Sequence, residues 1–171
     1  MKKILIGIAV VFFFGFGFFL FQIMGGFNDI KVELVDLGTL ELSGIRFRGK
    51  PQDEALRDAF VRIEAIQKEN QESQIHTIYY IEPAGRMDTM EVFVGLEKKW
   101  VSKEEALEEL TFAAEQSIVA RIKAHRFVMP GPVKVKSKIL DFARENNLPE
   151  PRIFIDRILG PDEVMVIAVK E

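Results

Sequence analysis

Hydrophobic and polar positions along the chain follow three patterns in turn: one unbroken apolar run, then alternation, then helical stripes set between alternating stretches. The run covers residues 4–24, ILIGIAVVFFFGFGFFLFQIM, with no formal charge and one polar side chain, Gln22. As a helix it would be roughly 31 Å long, close to the thickness of a bilayer's hydrocarbon core. It is longer than the apolar core of a signal peptide, and the chain has no Cys to acylate. The expectation is an uncleaved transmembrane anchor over residues 1–26. Lys2 and Lys3 precede the run, which puts the N-terminus in the cytoplasm and the remainder outside it.

Residues 32–48 alternate as a strand with interruptions, and Gly38 and Gly44 suggest bends or bulges. Pro51-Gln52-Asp53-Glu54 opens a helix to about residue 68, with Leu56, Ala59, Phe60, Ile63 and Ile66 as its buried stripe. Residues 76–82 and 89–97 read as two strands. Ser102-Lys103-Glu104-Glu105 has the capping-box form and predicts a short linker helix over about 102–109. Residues 117–127 alternate cleanly, with Ile118, Ala120, Ile122 and Ala124 on one side. A helix over 133–146 follows, striped by Val135, Ile139, Leu140, Phe142 and Ala143, and two strands over 152–159 and 163–170 end the chain.

The order strand–helix–strand–strand therefore occurs twice, over about 32–97 and 117–171. Arg46-Phe47 matches Arg126-Phe127, and MEVFVGLE at 90–97 matches VMVIAVKE at 164–171. The expected fold is α+β: tandem βαββ repeats about a pseudo-two-fold axis, with helices on one face of an antiparallel sheet behind the transmembrane helix. The helix-free face would then form a groove between the halves.

Composition narrows the chemistry. Beyond the anchor, 21 basic residues (23 less Lys2 and Lys3) face 26 acidic ones, a net charge of −5. That balance argues against nucleic acid as a partner. Without Cys there is no disulfide or thiolate metal site, and His76 and His125 lie on different strands with no matched acid. No HExxH, G-x-S-x-G or phosphate-binding glycine loop occurs. Neither cofactor, metal nor catalytic residue is expected.

The repeat order, with IYYIEPAGRMDTMEVFVGLE and RIFIDRILGPDEVMVIAV, resembles the GyrI-like, or effector-binding, small-molecule domain over about residues 30–171. The resemblance implies an amphipathic, often cationic ligand between the repeats, held by aromatic walls and a carboxylate on the penultimate strand. Asp156 falls at that carboxylate's place, where the family has Glu, with Phe154 beside it. Alternation adds Tyr80 and Glu82 on one strand, Glu91 and Phe93 on its neighbour, and Trp100 beyond them as candidate lining. The leading reading is a membrane-tethered ligand-binding module, bound to the bilayer through residues 4–24. A protein-interaction platform at the membrane is the alternative, and a carboxylate-dependent hydrolase ranks last.

Overall fold

The structure is a computed structural model that describes residues 2–102 and 107–170, with side chains from residue 11 onward. Helix α1 (Lys2–Ile23) leads into strands β1 (Lys31–Val35) and β2 (Thr39–Gly49), then helix α2 (Glu54–Glu69) and strands β3 (His76–Ile81) and β4 (Met90–Glu97). Strands β5 (Glu108–Ala113) and β6 (Ser117–Lys123), helix α3 (Pro132–Glu145), and strands β7 (Ile153–Gly160) and β8 (Glu163–Val169) complete the chain. All eight strands form one antiparallel sheet in the order β1-β6-β8-β7-β3-β4-β2-β5.

Directly paired residues of antiparallel strands share a face, so one register row assigns the whole sheet. Ile45, Val94, Thr77, Asp156, Val166, Ala120 and Val32 are successive partners from β2 across to β1. Helix α2 packs on this face, with Ala59 and Ile63 against Val94 and Leu96. Helix α3 packs on the same face at the other side, with Val135, Ile139 and Ala143 against Ala120, Val166 and Ala168. Both helices seat because their apolar residues recur at three- and four-residue spacing, which places them along one side.

The opposite face is filled, and this corrects the expected groove. Phe93, Ile78, Ile155 and Ile167 are paired row neighbours there. They pack with Leu40, Leu42, Phe112 and Val119 into a core that contains no helix residue. Each such side chain contributes roughly 1.5–3 kcal/mol on burial, and the sheet curls around them. The curl is latched where Leu37 N–H donates to Ala114 O (3.0 Å) and Ala114 N–H donates to Gly38 O (2.8 Å). Gly38, at φ 64°, makes the turn between β1 and β2.

Three local expectations change. Gly44 is no bulge: it pairs in register with Gly95, and a Cβ on it would lie 2.2 Å from Val94 O. Of the linker helix expected over 102–109, residues 103–106 lie outside the described residues. Glu108 and Glu109 begin β5 instead, because that strand satisfies the outer edge of β2.

The membrane expectation is also corrected. Among the described residues, no helix is long and apolar enough to cross a membrane. Helix α1 ends at Ile23, and a turn over residues 24–27 follows it. Its last turns make contacts with the remainder of the chain. Phe18 and Phe21 pack on Phe27, with ring centroids 5.2 and 4.9 Å apart. His125 N–H donates to Met24 O at 2.8 Å, and Asn28 Nδ2 donates to Lys123 O at 2.7 Å. A single-pass protein with a cytoplasmic N-terminus, an extracytoplasmic domain and a bilayer partner is therefore not supported.

Candidate ligand cavity

A cavity of about 390 Å³ opens on the helix-bearing face, between α3 and the middle of the sheet. Tyr79, Glu82 and Pro83 line it from β3 and its end, and Phe154 and Asp156 from β7. Ile122, Val164 and Val166 form its sheet floor; Met129, Pro130, Pro132, Val135 and Lys136 close it from the start of α3. Proline at the first helical turn costs no hydrogen bond, so Pro130-Gly131-Pro132 can bring α3 onto the sheet with a rigid apolar rim.

Polar groups converge at the mouth. The Lys136 ammonium pairs with the Glu82 carboxylate and lies 4.9 Å from the centroid of the Phe154 ring. Asp156 sits deeper, partly buried. Burial pushes its carboxyl up to about 6, against the pull of Lys136 and with a smaller push from Glu82. Tyr79 is held above its ordinary value by burial first, then by Asp156 and Glu82.

Of the residues expected from sequence, the structure brings Glu82, Phe154 and Asp156 to this cavity and takes the other four elsewhere. Strict alternation places Tyr80 with Glu82, but the β3–β4 register shifts between Tyr79 and Ile81. A bulge of this kind turns later residues to the other face, so Tyr79 joins Glu82 at the cavity. Tyr80 lies instead under Arg46, whose guanidinium carbon is 4.3 Å from its ring centroid. Glu91 belongs to that same cluster, 3.1 Å from Arg46 Nη1, and Glu108 completes it at 2.7 Å from Nη2. Phe93 is fully buried in the helix-free core. Trp100 packs near the end of α2, where its carbonyl accepts from Asn70 Nδ2 at 3.3 Å.

Sequence reasoning missed Tyr79 and Lys136. A signal for the lysine was present: the first half of α3 carries Lys134, Lys136 and Lys138, and its first turn has no acid. Cations near a helix start oppose its dipole, so a lysine there gains from an anionic partner on another element. Among the described residues, no group of His, Asp and Glu is arranged to hold a metal ion.

No protein-family model matches the sequence, and no curated protein matches it. Solved structures do. An EcmrR–DNA complex superposes with a TM-score of 0.58 at 8% identity, over 83% of this chain and 58% of that one. A hydrolase of Listeria innocua gives 0.57 at 9% identity, over 88% and 98%. The C-terminal domain of EcmrR gives 0.56 at 12% identity, over 83% and 98%. The fold is that of the EcmrR C-terminal domain. The chain spans 58% of the EcmrR chain in the complex, and the DNA there is that protein's.

Proposed function

We propose that this chain is a small-molecule-binding effector domain of the GyrI-like type, without catalysis, and that its ligand enters the cavity beside α3. The observation that carries the reading is the cavity itself: about 390 Å³ of space walled by Phe154, Val135, Val164 and prolines, with two carboxylates and one ammonium. Apolar walls with a few placed polar groups are the usual form of a small-molecule site. The EcmrR C-terminal domain shares the fold. A net charge of −5 beyond residues 2 and 3 favours a small ligand over nucleic acid.

The same reading takes residues 27–171 as one domain of two βαββ repeats, about 32–97 and 117–171. Its support is the sheet order: from the central pair β3 and β7, β4 and β8 follow, then β2 and β6. A pseudo-two-fold axis between β3 and β7 would place the cavity beside the seam of the halves.

Thermal unfolding of the full chain against neutral and cationic amphipaths tests the proposal. A ligand at 100 times its Kd should raise stability by about 2.7 kcal/mol. Val135→Trp, which fills the cavity from α3, should abolish the rise. No shift with any compound, or an undiminished shift in the Trp variant, would refute the site.

A second reading rests on Asp156, whose carboxyl is lifted by burial in the cleft to about 6, a range suited to general acid–base work; the fold is also similar to that of a Listeria innocua hydrolase. It requires turnover of an activated ester that Asp156→Asn eliminates.

A further inference from the structure

We propose that Lys136 is a built-in occupant of a cation subsite in this cavity, and so decides which ligands the cavity admits. This rests on the binding reading above. The Lys136 ammonium lies 4.9 Å from the centroid of the Phe154 ring and is paired with the Glu82 carboxylate. Asp156 stands behind it, and its carboxyl feels the Lys136 charge. An aromatic face with carboxylates beside it is the environment that attracts an organic cation. Here the chain supplies that cation itself, on a side chain anchored next to buried Val135.

Several facts argue that the lysine is a displaceable occupant and not a fixed structural strut. Its side chain keeps 31% of its exposure and that of Glu82 38%, so the pair sits at the mouth and can open toward water. Exposed pairs of this kind are weak. The position, one turn into α3, gives the ammonium no favourable interaction with the helix dipole. A tethered group competes at high effective concentration. A ligand cation must therefore displace Lys136 to reach Phe154, whereas an uncharged ligand can fill the apolar depth and leave the lysine in place. With Lys136 present the cavity selects neutral amphipaths; without it, cations.

Benzyltrimethylammonium and its uncharged isostere neopentylbenzene separate the two cases, titrated against the full chain by calorimetry. Lys136→Met should tighten benzyltrimethylammonium about tenfold and change neopentylbenzene less than about twofold. Lys136→Arg, which retains the charge, should behave as wild type, and Lys136→Gln should follow Met. An equal gain for both compounds would mean only a wider cavity and would overturn the assignment, as would an unchanged ratio in Lys136→Met and Lys136→Gln. If neither compound binds any variant, the binding reading and the lysine assignment fall together. If both bind at an unchanged ratio, only the lysine assignment falls.

Discussion

Asp156 on β7 stands directly across from Thr77 on β3, in the short ladder that joins the two middle strands of the sheet. Thr77 is buried and Asp156 partly so. The carboxyl therefore occupies a place where a charge is poorly solvated, which is why burial raises it to about 6 from an ordinary 3.8. The unfolded chain ionises first as pH rises, and the folded chain keeps its proton until about 6. Asp156 thus leaves stability intact below pH 4 and lowers it progressively between pH 4 and 7. Asp156→Asn should be more stable than wild type at pH 7.5, by on the order of 3 kcal/mol, and level with it at pH 4. The groups that face Asp156 are Lys136 from α3 and Tyr79 and Glu82 from β3 and its end, so the urea midpoints should be compared at constant ionic strength. Equal differences at both pH values would exclude this account.

His76 moves stability the other way. It is completely buried, and neither ring nitrogen has a hydrogen-bond partner among the described residues. Burial first, and then the Arg157 charge, lower it from 6.5 to about 4. Below pH 6.5 the unfolded chain takes up a proton that the folded chain refuses, so stability present above pH 6.5 is lost as pH falls through 4. The loss over that window is on the order of 3 kcal/mol. Replacing His76 with Leu should flatten the slope of unfolding free energy between pH 4 and 6.5, a change readable from urea titrations at four pH values. An unaltered slope would place the acid sensitivity elsewhere.

How far the chain could be read from its sequence follows from which faces are buried. Helices α2 and α3 were legible because each buries only one side, leaving Ala59 and Ile63, or Val135 and Ile139, as a clear stripe. The Phe154–Asp156 pairing was legible by alternation. On β4 alternation vanishes, since Val92, Phe93 and Val94 are all fully buried between α2 on one side and the curled sheet on the other. Nothing in such a strand says which side holds a site, so Phe93 read as lining when it is core. The Tyr79–Ile81 bulge has no Gly to announce it, and it exchanged the roles of two adjacent tyrosines. Strand β5 was hidden by the helix-like start at Ser102, because edge pairing is a property of the partner strand. The apolar run of α1 was legible as a helix but misleading about its setting.

The close approach of β2 and β4 makes a sharper stability prediction. A Cβ on Gly95 would lie 2.5 Å from Ser43 O and 2.9 Å from Gly44 Cα, backbone atoms that cannot rotate away. Gly95→Ala should cost about 3 kcal/mol, seen as a lower urea midpoint at unchanged slope. Gly160, where an added methyl group would meet no atom within 4 Å, is the control; Gly160→Ala should stay within about 0.5 kcal/mol of wild type.

Phe93 and Phe154 separate core from cavity. Phe93 is fully buried among Ile78, Ile155 and Ile167, so Phe93→Ala leaves a void and should cost about 3–5 kcal/mol. Phe93→Leu should cost less than about 1.5 kcal/mol, since it keeps most of the volume, and should leave any ligand-induced rise in Tm at its wild-type size. Phe154 is only partly buried and faces the cavity. Phe154→Leu should therefore destabilise the ligand-free chain little, yet reduce the ligand-induced rise because Leu has no aromatic face. The informative quantity is the ligand-induced shift in Tm, measured for each variant against its own ligand-free value. If Phe93→Leu reduces that shift and Phe154→Leu does not, the ligand lies on the curled face of the sheet and the cavity beside α3 is not its site.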